Sequence, residues 1–234
     1  MPKSDFTWNI ENLRIITFGE EDIPFTEGKT SAFLTESNVF ASIKQDKNNE
    51  MVINEVTPLE DYSVFNLSFL DKQNIIEFSL NVNEIKKESL ELDSVFDRME
   101  NFAKKFYDEY NFKIKRIGVI TELYQSNFNY IKNNISIINL DEEKDDFDIR
   151  LNKSCVVDEV KINQAISFNS VERVFIKFEE LFNIPITDVK RVTRLTIDVN
   201  TDIENKVINN SSTILMKLIE LSKRLVKKED FYEK

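Results

Sequence analysis

Between residues 94 and 123 the spacing of apolar side chains changes from helical to extended with almost no gap, and this constrains the fold more than any motif does. Val95, Met99, Phe102, Phe106 and Tyr110 recur at three- and four-residue intervals and therefore share one face of a helix. Ser94 and Asp97 stand where a capping box would cover the free N–H groups of its first turn. After Asn111 the period falls to two, with Phe112 and Ile114 on one face and Ile117, Val119 and Leu123 on the other. Apolar residues on both faces are expected of a central strand rather than an edge.

A similar plan returns from Val171 onward. Val171, Val174, Phe175, Phe178, Leu181 and Phe182 trace a helical stripe, followed by an alternating strand over 189–199. Phe106, Tyr110, Asn111 and Phe112 align with Phe178, Phe182, Asn183 and Ile184. After a short insertion around Pro185, Lys115, Arg116, Ile117, Ile120 and Thr121 align with Lys190, Arg191, Val192, Leu195 and Thr196. Upstream, Asp71, Lys72, Ile75, Ile76 and Glu77 match Asn152, Lys153, Val156, Val157 and Asp158. The alignment reads as an internal duplication of a strand, turn, strand, helix, strand unit. Any two units of that topology would share much of the pattern.

The remaining stretches fit a mostly antiparallel α+β body. Phe6, Trp8 and Ile10, then Leu13, Ile15 and Ile16, read as a strand, bent partway. Strands are expected over 31–43 and 51–56 around a polar turn at 45–50. Residues 62–70 and 74–82 form the clearest hairpin. With Lys72 and Gln73 as its turn, Phe65, Leu67 and Phe69 lie opposite Leu80, Phe78 and Ile76, giving an apolar face on which the 94–110 helix can sit. Residues 124–140 are ambiguous. The closing helix carries Ile214, Leu218, Leu221 and Leu225, widened by Leu215 and Ile219, with Ser211 or Ser212 at its cap. A stripe that wide is either docked fully on the sheet or shared with a second subunit as a homodimer. The chain thus divides into a β extension (1–60), a first ββαβ unit (61–124), a connector (125–145), a second ββαβ unit (146–200) and a C-terminal helix (201–234), all in one body.

Composition excludes more than it proves. The 234-residue chain has no histidine and a formal net charge of −11. A histidine-based triad, general base or metal site is therefore ruled out, and phosphate backbones and anionic membrane surfaces are disfavoured partners. Cys155 is the only cysteine, which fits a reducing compartment and a buried apolar role. Nineteen phenylalanines against three glycines describe long regular elements around a bulky core, with no glycine-rich loop to cradle phosphates. The first residues lack the basic patch and apolar run of a signal peptide, and the expected location is the cytoplasm.

Two constellations carry candidate chemistry. Asp148, followed by the triplet Glu159, Val160, Lys161 on the neighbouring strand, resembles the pattern of the PD-(D/E)xK nuclease superfamily. That resemblance implies a magnesium ion held by Asp148 and Glu159, with Lys161 helping to activate water. With Lys153 and Ser154 as the turn, Asp148 faces Glu159 and Asp146 faces Lys161. The plain alternative is that Asp146, Asp148, Arg150, Glu159 and Lys161 form the wet face of an antiparallel hairpin, with Asp146 and Lys161 an ordinary ion pair. The acidic run 141–148 is a solvated loop, since it lacks the glycine and distal glutamate of a calcium loop. The second constellation is basic: Lys113, Lys115 and Arg116 on one strand and Lys190 and Arg194 on its counterpart could receive an anion, or simply balance nearby acids.

The runs KRIGVITEL, RLTIDVNT and STILMKLIELSKRLVKKEDF resemble a sporadically distributed family of bacterial proteins in which an R-[IV]-G strand follows the first helix and an amphipathic helix closes the chain. The frequent terminal-helix histidine of that family is missing here. The resemblance implies a cytoplasmic bacterial or prophage-encoded α+β protein and brings no activity with it. The functional expectation is a non-enzymatic interaction protein, part of a mobile-element, phage-defence or counter-defence system. Its acidic surface suits a basic protein partner, and no cofactor is needed. The alternatives are the magnesium-dependent nuclease and an acidic nucleic-acid mimic that occupies the groove of a DNA- or RNA-binding protein.

Overall fold

The computed structural model describes residues 8–20, 41–45, 51–55, 63–70, 74–82, 92–110, 113–125, 146–178, 185–205, 208 and 210–227. Among them are β1 (Asn9–Gly19), β2 (Ala41–Gln45), β3 (Met51–Glu55), β4 (Ser63–Leu70), β5 (Ile75–Val82), α1 (Leu92–Tyr110), β6 (Ile114–Gln125), β7 (Asp148–Val157), β8 (Val160–Phe178), β9 (Pro185–Thr201) and α2 (Ser211–Val226). The strands form one antiparallel sheet in the order β2-β3-β4-β5-β1-β6-β9-β8-β7. The class is α+β, as the sequence pattern indicates.

Both helices lie on one face of this sheet. On β5, Ile76, Phe78 and Leu80 are fully buried. The register expected for the first hairpin is the one observed: Phe65 pairs with Leu80, Leu67 with Phe78 and Phe69 with Ile76. Phe78 meets the rings of Phe102, Phe106 and Tyr107 edge-on at 5.7, 5.2 and 6.4 Å, which seats α1 over β5 and β1. α2 covers β6 and β9 with Ile214, Leu215, Leu218, Ile219, Leu225 and Val226, so its wide stripe is taken up by the sheet and by α1. The two helices run antiparallel and are stitched by Lys223–Asp97 at 2.6 Å, Lys227–Asp93 at 3.0 Å and Ser212 to Asp108 at 3.2 Å. Buried hydroxyls fasten them to the strands, Thr17 with Tyr107 at 2.5 Å and Thr121 with Ser222 at 2.9 Å.

Several expectations need correction. β1 is no peripheral extension, because it bonds to β5 on one side and β6 on the other and buries Leu13, Ile15 and Thr17. Its bend is real, a register shift between Ile10 and Asn12. α1 begins at Leu92, so Ser94 lies inside the helix and Asp97 serves Lys223 instead of a cap. The N-cap of α2 is Asn210, acting through its backbone oxygen, while Ser212 bonds to α1.

The largest correction concerns the second unit. Residues 171–178, expected as a helix, continue β8 as a strand. Val171, Val174, Phe175 and Ile176 are β-branched or aromatic, and short runs of such residues satisfy helical and extended spacing equally well. The choice is made by β9, which pairs with β8 without interruption from Ile162↔Thr201 to Phe178↔Pro185, adding eight rungs beyond Ser170↔Thr193. Among the described residues a ββαβ arrangement therefore forms once, from β4, β5, α1 and β6, and residues 171–178 of the proposed second copy are strand in place of helix. The strands, turn, connector and helix end expected over 31–40, 46–50, 126–145 and 179–184 lie outside the described residues.

Candidate functional site

The β7–β8 hairpin turns at Asp158 and Glu159, not at Lys153 and Ser154. Both turn residues have positive φ, 48° and 66°, as a two-residue I′ turn requires. Val157 then pairs with Val160 and Asp148 with Asn169. This register takes Asp148 to one end of β7 and Glu159 beyond the other, about 30 Å away at ~3.3 Å per residue. The three residues of the nuclease pattern are not brought together. Lys161 instead forms ion pairs with Asp202 at 2.8 Å and Glu204 at 3.7 Å, while Asp146 pairs with Arg191.

Asp202 is the anchor of the turn after β9. It accepts bonds from Lys161, from the Glu204 backbone N–H at 2.9 Å and from Asn163 at 3.2 Å, and these hold its carboxyl down to about 2. The same bond raises Lys161 above its ordinary value. Asn205 completes the knot by donating to the Lys161 carbonyl and accepting from its N–H. Every group here has an internal partner, so the arrangement is a structural lock.

The basic residues are also dispersed. Arg194 is clamped by both carboxylate oxygens of Glu11, at 2.8 and 2.9 Å, and Arg173 reaches the same carboxylate at 2.8 Å while stacking on Tyr124 at 3.9 Å. Lys190 pairs with Asp188 at 3.3 Å. Lys113 and Lys115 are exposed, and Lys115 alternates to the face opposite Arg116. Arg116 lies about 25 Å along the sheet from Arg194, given that Tyr124 is the partner of Arg194. Of the five, Arg116 lines a cavity among the described residues.

That cavity is on the helix-free face. The cross-strand register places Ser154, Asn163, Asn200 and Gly118 in one row, and Asn152, Ala165, Asp198 and Ile120 in the next. Ala165 contributes only a methyl between longer neighbours, leaving a depression of about 460 Å³ lined also by Arg116 and Arg150. Arg116 donates to Asn200 Oδ1 at 3.1 Å and lies over the Phe18 ring at 5.5 Å.

A second surface lies where β8 and β9 outrun their neighbours. β6 stops pairing at Gln125↔Thr193 and β7 at Asp148↔Asn169, so among the described strands the backbones of residues 171–178 and 185–192 pair only with each other. On this ribbon Val174 and Val189 face one another across the strands, yet they are 55% and 59% exposed, and Ile186 is 50% exposed.

Sequence reasoning missed Glu11, Ala165 and this valine pair. The signals were weak: one acid in an otherwise apolar strand, one small residue among polar ones, and a valine that suited a helical stripe while its partner, Val189, opened an alternating strand. No protein-family model matches the chain, and no curated protein matches it. Among the described residues no helix is long and apolar enough to cross a membrane.

Proposed function

We propose that this chain is a non-enzymatic protein-interaction module that presents the β8–β9 ribbon to a basic protein partner. The observation that supports this reading is the exposed Val174–Val189 pair, apolar surface on the described part of the β8–β9 ribbon, bordered by the charged side chains of Glu172 and Arg191. An apolar centre with a charged rim is how a protein interface is built. The basic character of the partner follows from the net charge of −11, which steers cationic surfaces toward the molecule.

The test is affinity capture with the tagged chain, eluted across a salt gradient, comparing wild type with Val174→Thr/Val189→Thr. Threonine keeps β-propensity while removing apolar contact. A near-stoichiometric basic protein released by salt from wild type and absent from the double variant supports the reading. Equal capture by both proteins, or recovery of the chain alone, refutes it.

A further inference from the structure

The Ala165 depression lies on the face opposite the Val174–Val189 pair and outside the ribbon, sharing only Asn163 with the Asp202 lock, so what it does is independent of the partner reading. We propose that it is a binding site for a small phosphorylated sugar. Its volume of about 460 Å³ exceeds the need of a lone anion and falls among small-molecule pockets, which span roughly 300–1,000 Å³.

Charge assigns the first half of the ligand. Arg116 and Arg150 line the depression against the single carboxylate of Asp198, a locally positive spot in an acidic chain. Arg116 is held in place before any ligand arrives, by Asn200 on one side and the Phe18 ring on the other. A guanidinium fixed beforehand, with Arg150 also lining the depression, is suited to phosphate oxygens.

The neutral groups assign the second half. Asn152 and Ser154 on β7 offer an amide and a hydroxyl, and Asp198, whose Oδ1 accepts from Asn200 at 2.9 Å, offers its other oxygen as an acceptor, groups that recognise sugar hydroxyls. Among the described residues lining the depression none is aromatic, so a nucleobase would find no ring to stack on. A nucleic-acid strand is further disfavoured by the charge of the whole chain.

The experiment is isothermal titration of the full chain with ribose 5-phosphate, and separately with inorganic phosphate, ribose and oligouridylate. Arg150→Gln and Ala165→Leu are titrated alongside. Arg150 is exposed, so its replacement leaves core packing alone and remains informative if Ala165→Leu fails to fold. We expect saturable binding of ribose 5-phosphate with a stoichiometry of one, about tenfold tighter than inorganic phosphate or ribose. Affinity should fall about tenfold in Arg150→Gln, the loss of one charge-assisted bond, and vanish in Ala165→Leu, with thermal unfolding of Arg150→Gln unchanged. Three results would each overturn the proposal: phosphate binding as tightly as the sugar phosphate, tighter binding of oligouridylate, or no saturable binding of ribose 5-phosphate.

Discussion

Replacing Glu159 by glycine should stabilise the protein, and the sign of that change distinguishes two registers of the β7–β8 hairpin. Glu159 is exposed and sits at φ 66°, next to Asp158 at φ 48°. The left-handed conformation costs an L-residue about 1–2 kcal/mol, and glycine avoids that cost. Against this stands the greater entropy glycine loses on folding, about 0.5–1 kcal/mol. The net expectation is a gain of roughly 0.5–1 kcal/mol, or a rise in Tm of about 1–4 °C for a chain of this size. Asp158 should be kept, because it holds Lys217 of α2. The assay is urea unfolding followed by circular dichroism, with Cm expected to rise at constant m. Were the turn at Lys153 and Ser154, Glu159 would lie within a strand, and glycine there would lower stability by ~0.5–1 kcal/mol. A lower Cm would therefore refute the observed register, and with it the separation of Asp148 from Glu159.

Further substitutions probe the core and its locks. Phe78→Ala should cost about 3–5 kcal/mol, since the ring is fully buried and meets three aromatic partners, and urea unfolding measures it. Glu11→Gln leaves Arg173 and Arg194 facing a neutral amide across partly exposed surface. It should cost about 1–2 kcal/mol at low salt, with the gap from wild type narrowing as salt is added. Asp202 has its folded carboxyl lowered to about 2, so its contribution is present above the ordinary carboxylate range and is lost as pH falls. Wild type should thus exceed Asp202→Asn in Cm at neutral pH, with the difference shrinking between about pH 4 and pH 2. A difference that stayed constant across that range would show that the carboxylate charge contributes nothing.

How much of this was legible in the sequence depended on whether a local signal had a competitor. The β4–β5 hairpin was readable to the residue because alternation on both strands agreed with only one turn. The α1 stripe was equally clear, since Val95, Met99, Phe102 and Phe106 cannot share one face of a strand. The β7–β8 turn was hidden because Asp-Glu is a poor I′ sequence, held here by the ladder on either side and by Lys217. The extension of β8 was hidden for a different reason. Val171, Val174, Phe175 and Phe178 suit a helix by spacing and a strand by residue type, and only the long partner β9 decides between them. The depression around Ala165 could not be read at all, because it arises from four strands meeting in a register that the sequence left open. The central place of β1 was concealed likewise, since strand order is a property of the whole chain.

The length of the β8–β9 ladder and the proposed partner surface both rest on residues 171–178 being strand. Backbone resonance assignment of the isotope-labelled chain tests this directly through the 13Cα secondary shifts of that segment and cross-strand contacts between Val174 and Val189. Negative 13Cα secondary shifts throughout, with contacts across the Val174–Val189 pair, are the expected result. Positive shifts over 171–178, with sequential amide contacts in their place, would make the segment a helix and remove the ribbon on which the proposed function stands.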